Sequence, residues 1–197
     1  MRLLKTCSPL SLIAMGTLLF TQAFCQPMAN PAGTPQGPTL PAAPATFELD
    51  AKGKRAHIDF NVPARSISEA NLKFPQFSGR KLLVFYFSAK CPHCQHAYPH
   101  VQKVADSLAP KGFTAVAMAV KFNTDEDILG FIRDFSVRMP VFQDDQRLFG
   151  EYYRTGSIPL ISLINPKGEY IRYKEFDPTI TPEQIIKDGG MMAKVKP

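Results

Sequence analysis

The feature that most constrains this chain is a run of six apolar residues, Leu82 to Phe87, followed within four positions by Cys91-Pro92-His93-Cys94. The run contains a β-branched residue, three aromatics and no polar break, the pattern of a strand buried on both faces. Phe113 to Val120 reads the same way. Between them Ala97, Val101, Val104, Ala105 and Leu108 recur at helical spacing. A strand, a helix opening at two cysteines and a second buried strand predict a parallel α/β unit, since helices must cover a sheet that has no wet face. Pro99 falls inside the helix and should kink it by removing a backbone bond.

The pattern continues on both sides. Thr124 caps a second helix over Asp125 to Phe135, with Ile128, Phe131, Ile132 and Phe135 on one face. Leu160 to Ile164 reads as a strand, Asn165-Pro166-Lys167-Gly168 as a tight turn and Tyr170 to Tyr173 as the returning strand. Thr181 caps a last helix with Pro182 at its first position and Gly189-Gly190 behind its end. Upstream, Phe47-Glu48-Leu49 and Ile58-Asp59-Phe60 alternate as an edge hairpin would, with Gly53 at the turn. The folded domain is therefore expected over residues 47–190, with a tail at 191–197.

Residues 1–25 have the three parts of a secretory signal in order. Arg2 and Lys5 form a basic start, Leu10 to Phe20 an apolar run, and Ala23-Phe24-Cys25 small residues at the cleavage spacing. The run is short for a permanent span, so cleavage near Cys25 is expected. A retained membrane anchor and a lipid-modified Cys25 are the alternatives, the latter opposed by bulky Phe24. Residues 26–46 are Pro, Ala, Gly, Gln and Thr without charge, a composition that buries too little surface to order itself and reads as a linker.

Export changes how the cysteines read. Cys7 and Cys25 fall in the signal, leaving Cys91 and Cys94 in an oxidising compartment. One adjacent pair does little to staple a domain of this size, so an inert structural disulfide is a poor account of it. Of the formal net charge of +6, two units belong to Arg2 and Lys5. The remaining basic residues are scattered among acids, as on a solvated surface and unlike a nucleic-acid site.

At the start of a helix, free N–H groups and a partial positive charge favour a thiolate, so Cys91 is the expected nucleophile. His93, if protonated, and Lys90 add positive charge beside it. Cys94, one turn inside and more covered, is the expected resolving thiol, closing the disulfide and releasing the substrate. The competing reading is copper or zinc handling by Cys91, Cys94 and a histidine from His93, His96 and His100. It lacks a second cysteine pair, and Pro99 disturbs the histidine face.

These residues resemble the thioredoxin superfamily over roughly 81–186. Leu82 to Phe87 leads into the pair, Pro99 stands five residues after Cys94, and Gly156-Ser157-Ile158-Pro159 precedes the next strand, all as in that family. The resemblance implies an α/β thioredoxin fold, a central mixed sheet flanked by helices, and a cis Pro159 packed against the cysteines, with the Ile158 backbone aimed at an extended substrate. Pro159 lies 68 residues after Cys91, and the extra segment, 125–145, looks like the insertion of TlpA-like exported thioredoxins. Pro92-His93 is similar to the dipeptide of DsbA-like oxidases, and the leader and active-site run also look like envelope disulfide isomerases of conjugation systems.

The resemblance thus implies an exported, periplasmic thiol-disulfide oxidoreductase, membrane-anchored if its signal is retained, that needs no bound cofactor. Its partners would be thiols or disulfides of exported proteins and a redox partner, in the membrane or not, that recycles the pair. The direction stays open. Lys90, His93 and the helix end point to an oxidising couple, whereas the insertion points to reductases. Thioredoxins also carry a buried acid six residues before the first cysteine, where this chain has Phe85.

Overall fold

The computed structural model describes residues 46–149, 157–174 and 181–194. The expected signal, nearly all of the linker, Gly156 and the end of the tail lie outside them. Within them a six-stranded mixed sheet carries helices α1 (Pro92–Leu108), α2 (Asp125–Asp134) and α3 (Pro182–Met192). Its strands are β1 (Arg65–Ser66), β2 (Lys81–Phe87), β3 (Phe113–Val120), β4 (Val141–Asp144), β5 (Leu160–Ile164) and β6 (Tyr170–Lys174), in the order β1-β4-β3-β2-β5-β6. Strands β2, β3 and β4 are parallel; β5, β6 and β1 add antiparallel. Among the described residues no helix is long and apolar enough to cross a membrane.

Strand β2 is central because both of its faces are apolar. Leu83, Phe85 and Phe87 point to one side, where they meet Ala97, Val101, Val104 and Leu108 of α1, Phe131 of α2, and Ile185 and Met192 of α3. Leu82, Val84 and Tyr86 point to the other, against Val116, Met118, Phe142 and Phe149. Each fully buried Val, Leu or Phe contributes about 1.5–3 kcal/mol, so the unbroken run commits β2 to this position.

The second face is covered in part by a short 3-10 turn, Phe74–Phe77, which contributes two aromatics. Phe74 is completely buried, and its ring lies about 6 Å from Phe60, Phe77, Phe142 and Phe149, with the last two edge-on. Edge-to-face contact is the preferred arrangement for such rings.

Two expectations need correction. The last helix does not stop before Gly189-Gly190 but runs through both to Met192. Gly189 is needed inside it because a Cβ there would come within 2.5 Å of Leu108 Cδ2 on α1. The N-terminal hairpin is only partly formed. Gly53 makes the turn, with φ of 72°, but pairing is a single bridge between Leu49 and Arg55, and Ile58 instead donates its N–H to the Gly168 carbonyl. This segment lies along the β6 edge, where the Glu48 N–H donates to the Tyr170 carbonyl, and the opposite edge of the sheet is β1, a two-residue strand on β4. The extra segment expected at 125–145 is present as a helix-strand unit, α2 followed by β4, and β4 extends the parallel sheet beside β3.

Candidate active site

Strand β2 ends at Phe87, and Ser88-Ala89-Lys90 carries the chain to α1. Cys91 is the N-cap residue, extended at φ −83° and ψ 114°, and Pro92 takes the first helical position. Proline suits that position because its missing N–H would have had no partner there. The Cys91 N–H donates to the Ser88 carbonyl at 3.1 Å, and its carbonyl accepts the Gln95 N–H at 3.1 Å. Its thiol makes no capping bond. It is therefore half-exposed at the positive end of a 17-residue helix.

Cys94 is completely buried, and its Sγ accepts the Ser88 N–H at 3.4 Å. Both cysteines are thiols in this structure. One thiol open at the helix start and one covered a turn later can attack and then resolve a disulfide. His93 is exposed, as are His96 and His100. Pro99 sits in α1 on its exposed side without ending the helix.

Lys90 departs from expectation. Its ammonium pairs with Asp127 of α2 at 2.9 Å, so the two together bring no net charge to Cys91. The Thr124 backbone N–H and the Lys90 ammonium hold the Asp127 carboxyl down at about 2. One of the three supports for an oxidising couple is thereby weakened.

Phe85 fills the place of the thioredoxin acid. It is completely buried, and its ring stacks on Phe87 with centroids 5.2 Å apart and planes 8° from parallel. A buried carboxylate, Asp144, does accept a bond from the Tyr86 hydroxyl at 3.3 Å. It belongs to the opposite face of the sheet from Phe85 and α1.

The Ile158-Pro159 bond is cis. Antiparallel register sets Leu160 opposite Tyr86, so Pro159 lies one residue further, at the end of the sheet where the chain leaves β2 for Cys91. Pro159 is buried and Ile158 half-buried, touching the apolar clusters on both faces. The topology thus brings Cys91, Cys94, Ile158 and Pro159 to one end of the sheet.

Sequence reasoning missed the polar side chains that shape the loop. Gln95 Nε2 donates to the Ala89 carbonyl at 2.8 Å. Asn123, just past β3, accepts from the Ser88 hydroxyl at 2.9 Å and from the Ala89 N–H at 2.8 Å. No local pattern singles out an asparagine between Phe122 and Thr124; only the fold brings it to position 88. Among the described residues, no three His, Cys, Asp or Glu side chains converge as a metal site.

Comparison with known proteins agrees with this arrangement. The AhpC/TSA family pattern matches residues 52–174. The thiol-disulfide oxidoreductase ResA of Oceanobacillus iheyensis is 21% identical over 106 residues, 54% of this chain and 55% of that protein. The chain thus spans little more than half the length of that relative. A secreted thiol-disulfide isomerase of Corynebacterium glutamicum superimposes with a TM-score of 0.60 at 14% identity, over 83% of this chain and 96% of the other. A secreted Mycobacterium tuberculosis disulfide oxidoreductase homologous to E. coli DsbE gives 0.55 at 15% identity, over 65% and 93%. At these identities the likeness establishes the fold, the thioredoxin fold expected from the sequence.

Proposed function

Because the chain belongs to the AhpC/TSA family, we propose that it is a thiol-disulfide oxidoreductase acting on exported proteins through Cys91 and Cys94. The observation that carries this reading is the asymmetry of the pair: Cys91 is half-exposed at a helix N-terminus, and Cys94 is buried with its sulfur on the Ser88 N–H.

In the reducing direction the Cys91 thiolate attacks a substrate disulfide and forms a mixed disulfide. Cys94 then attacks Cys91, the internal disulfide closes, and the substrate leaves as a thiol. The oxidising direction is the reverse. Ile158 and Pro159 would hold an extended substrate segment beside the pair by strand-like backbone bonding. His93, exposed at the second helical position, would face the substrate and tune the thiolate when protonated. Neither direction requires a bound cofactor.

Export rests on the leader pattern of residues 1–25, and the two similar structures above are of secreted proteins. The compartment we infer is the periplasm, where a separate redox partner would recycle the pair. The metal-handling alternative would have to recruit Cys94, whose sulfur is buried and already bonded.

The test is exchange itself. The purified protein should equilibrate its pair with glutathione, losing two hydrogens on oxidation, and should accelerate exchange with a disulfide-bonded protein. A rate no faster than that of the variant with both cysteines replaced by alanine would reject the reading.

A further inference from the structure

Asn123 is only 5% exposed, yet its side chain bonds outward to three groups. Its Oδ1 faces the Ser88 hydroxyl and the Ala89 N–H, and its Nδ2 donates to the Val120 carbonyl at 2.6 Å. With donors on one side and a carbonyl on the other, the amide has one orientation that satisfies all three. Asn123 is itself held in place. Its carbonyl accepts from Gln143 Nε2 at 2.6 Å, and Gln143 Oε1 accepts from Arg65 at 2.6 Å. Arg65 in turn forks onto Asp125 at 2.7 and 2.9 Å and reaches Asp145 at 3.1 Å. A polar chain therefore runs from edge strand β1 to the loop before the cysteines.

Ser88 is where that chain meets the reactive sulfur. Its hydroxyl is held by Asn123 and its N–H points at Cys94 Sγ. We propose that Asn123 is a positioning residue for the resolving step. It fixes the Ser88-Ala89 turn so that the Ser88 N–H stays aimed at Cys94, and so controls how fast Cys94 closes the mixed disulfide. A hydrogen bond to a charged acceptor is roughly twice as strong as one to a neutral acceptor, so this bond strengthens as Cys94 ionises. The proposal rests on the thiol-disulfide reading above.

In that step Cys94 gives its proton to water and its thiolate attacks Cys91 Sγ. A Cys91–Cys94 bond forms as the bond from Cys91 to the substrate sulfur breaks. The substrate sulfur leaves with the electron pair and takes a proton from water. The dithiol is oxidised by two electrons and the substrate disulfide reduced by two.

Dithiobis(nitrobenzoate) separates the two steps in the full chain once the other two thiols are removed by Cys7→Ser and Cys25→Ser, the background for every variant below. Attack by Cys91 releases one coloured thiolate, and closure by Cys94 releases a second. Asn123→Ala should leave the first release within about twofold and slow the second by about tenfold, equivalent to about 1.4 kcal/mol. Ser88→Ala, which keeps the Ala89 N–H bond, should slow the second release by about threefold, the scale of one hydrogen bond. The double variant should be no slower than Asn123→Ala, because the two act through one contact. Equal slowing of both releases, an unchanged second release, or additive effects in the double variant would overturn the role of Asn123 alone. If the wild-type protein gives no second release, or Cys94→Ala gives one, the thiol-disulfide reading falls and this proposal with it.

Discussion

Gly189 of α3 lies directly against Leu108 of α1, where an added Cβ would come within 2.5 Å of Cδ2 and 3.0 Å of Cδ1. Leu108 is completely buried and has nowhere to turn. Alanine would gain up to about 1 kcal/mol of helix propensity, but overpacking a filled core costs about 1–3 kcal/mol. Gly189→Ala should therefore lower the urea midpoint. Gly190→Ala is the control, since its Cβ would meet only the far end of the exposed Lys111 side chain, at 3.4 Å. It should leave the midpoint unchanged or raise it.

The same helix is fastened to β6 by a buried pair. The Tyr173 hydroxyl donates to Asp188 Oδ2 at 2.7 Å, and Gln184 Nε2 donates to Oδ1 at 2.8 Å. Burial, then the carboxylate, push the Tyr173 hydroxyl well above its ordinary range. Tyr173→Phe should cost about 1–3 kcal/mol, because it leaves a buried oxygen without that donor. Denaturant unfolding measures this, and in an alkaline titration of the folded protein Tyr173 should remain un-ionised well past the ordinary tyrosine value of about 10.

Asp127 gives the acid response a definite sign. Its carboxyl is ordinarily half-protonated near 3.8 and is held at about 2 in the folded chain by the Thr124 N–H and Lys90. A depressed carboxyl stabilises the fold above its unfolded value, and that contribution is lost as pH falls through the folded value. The stability difference between the wild-type chain and Asp127→Asn should therefore be full above about pH 4, shrink between pH 4 and 2, and vanish below. Melting temperatures across that range test it; a difference that grows on acidification would contradict the assignment.

These particulars show what the sequence could and could not disclose. Strands β2, β3, β5 and β6 and the starts of α1, α2 and α3 were legible because each has its own signal: an apolar run, a capping threonine, or proline at a first turn. Strand β1 was not, since Arg65-Ser66 is two residues long and has no apolar alternation. Strand β4 is four residues long and lay within a segment recognised only as extra. The Gly189-Gly190 pair misled because glycine usually ends helices. Its reason for standing inside one is Leu108, eighty-one residues earlier in the chain. At the site, both cysteines and the cis Pro159 could be anticipated, because motif and order announce them. Lys90 could not be weighed without Asp127, nor Asn123 without Ser88, since those contacts exist only once β2 and β3 lie side by side.

The most direct test of the division of labour between the cysteines is trapping in the compartment where the protein works. Cys94→Ala leaves Cys91 able to attack but removes the thiol that releases the product, so it should accumulate disulfide-linked complexes with other exported proteins that dissolve on reduction. Cys91→Ala should accumulate none, because Cys94 is buried. Equal trapping by the two variants, or none by either, would contradict the account of Cys91 as nucleophile and Cys94 as resolver.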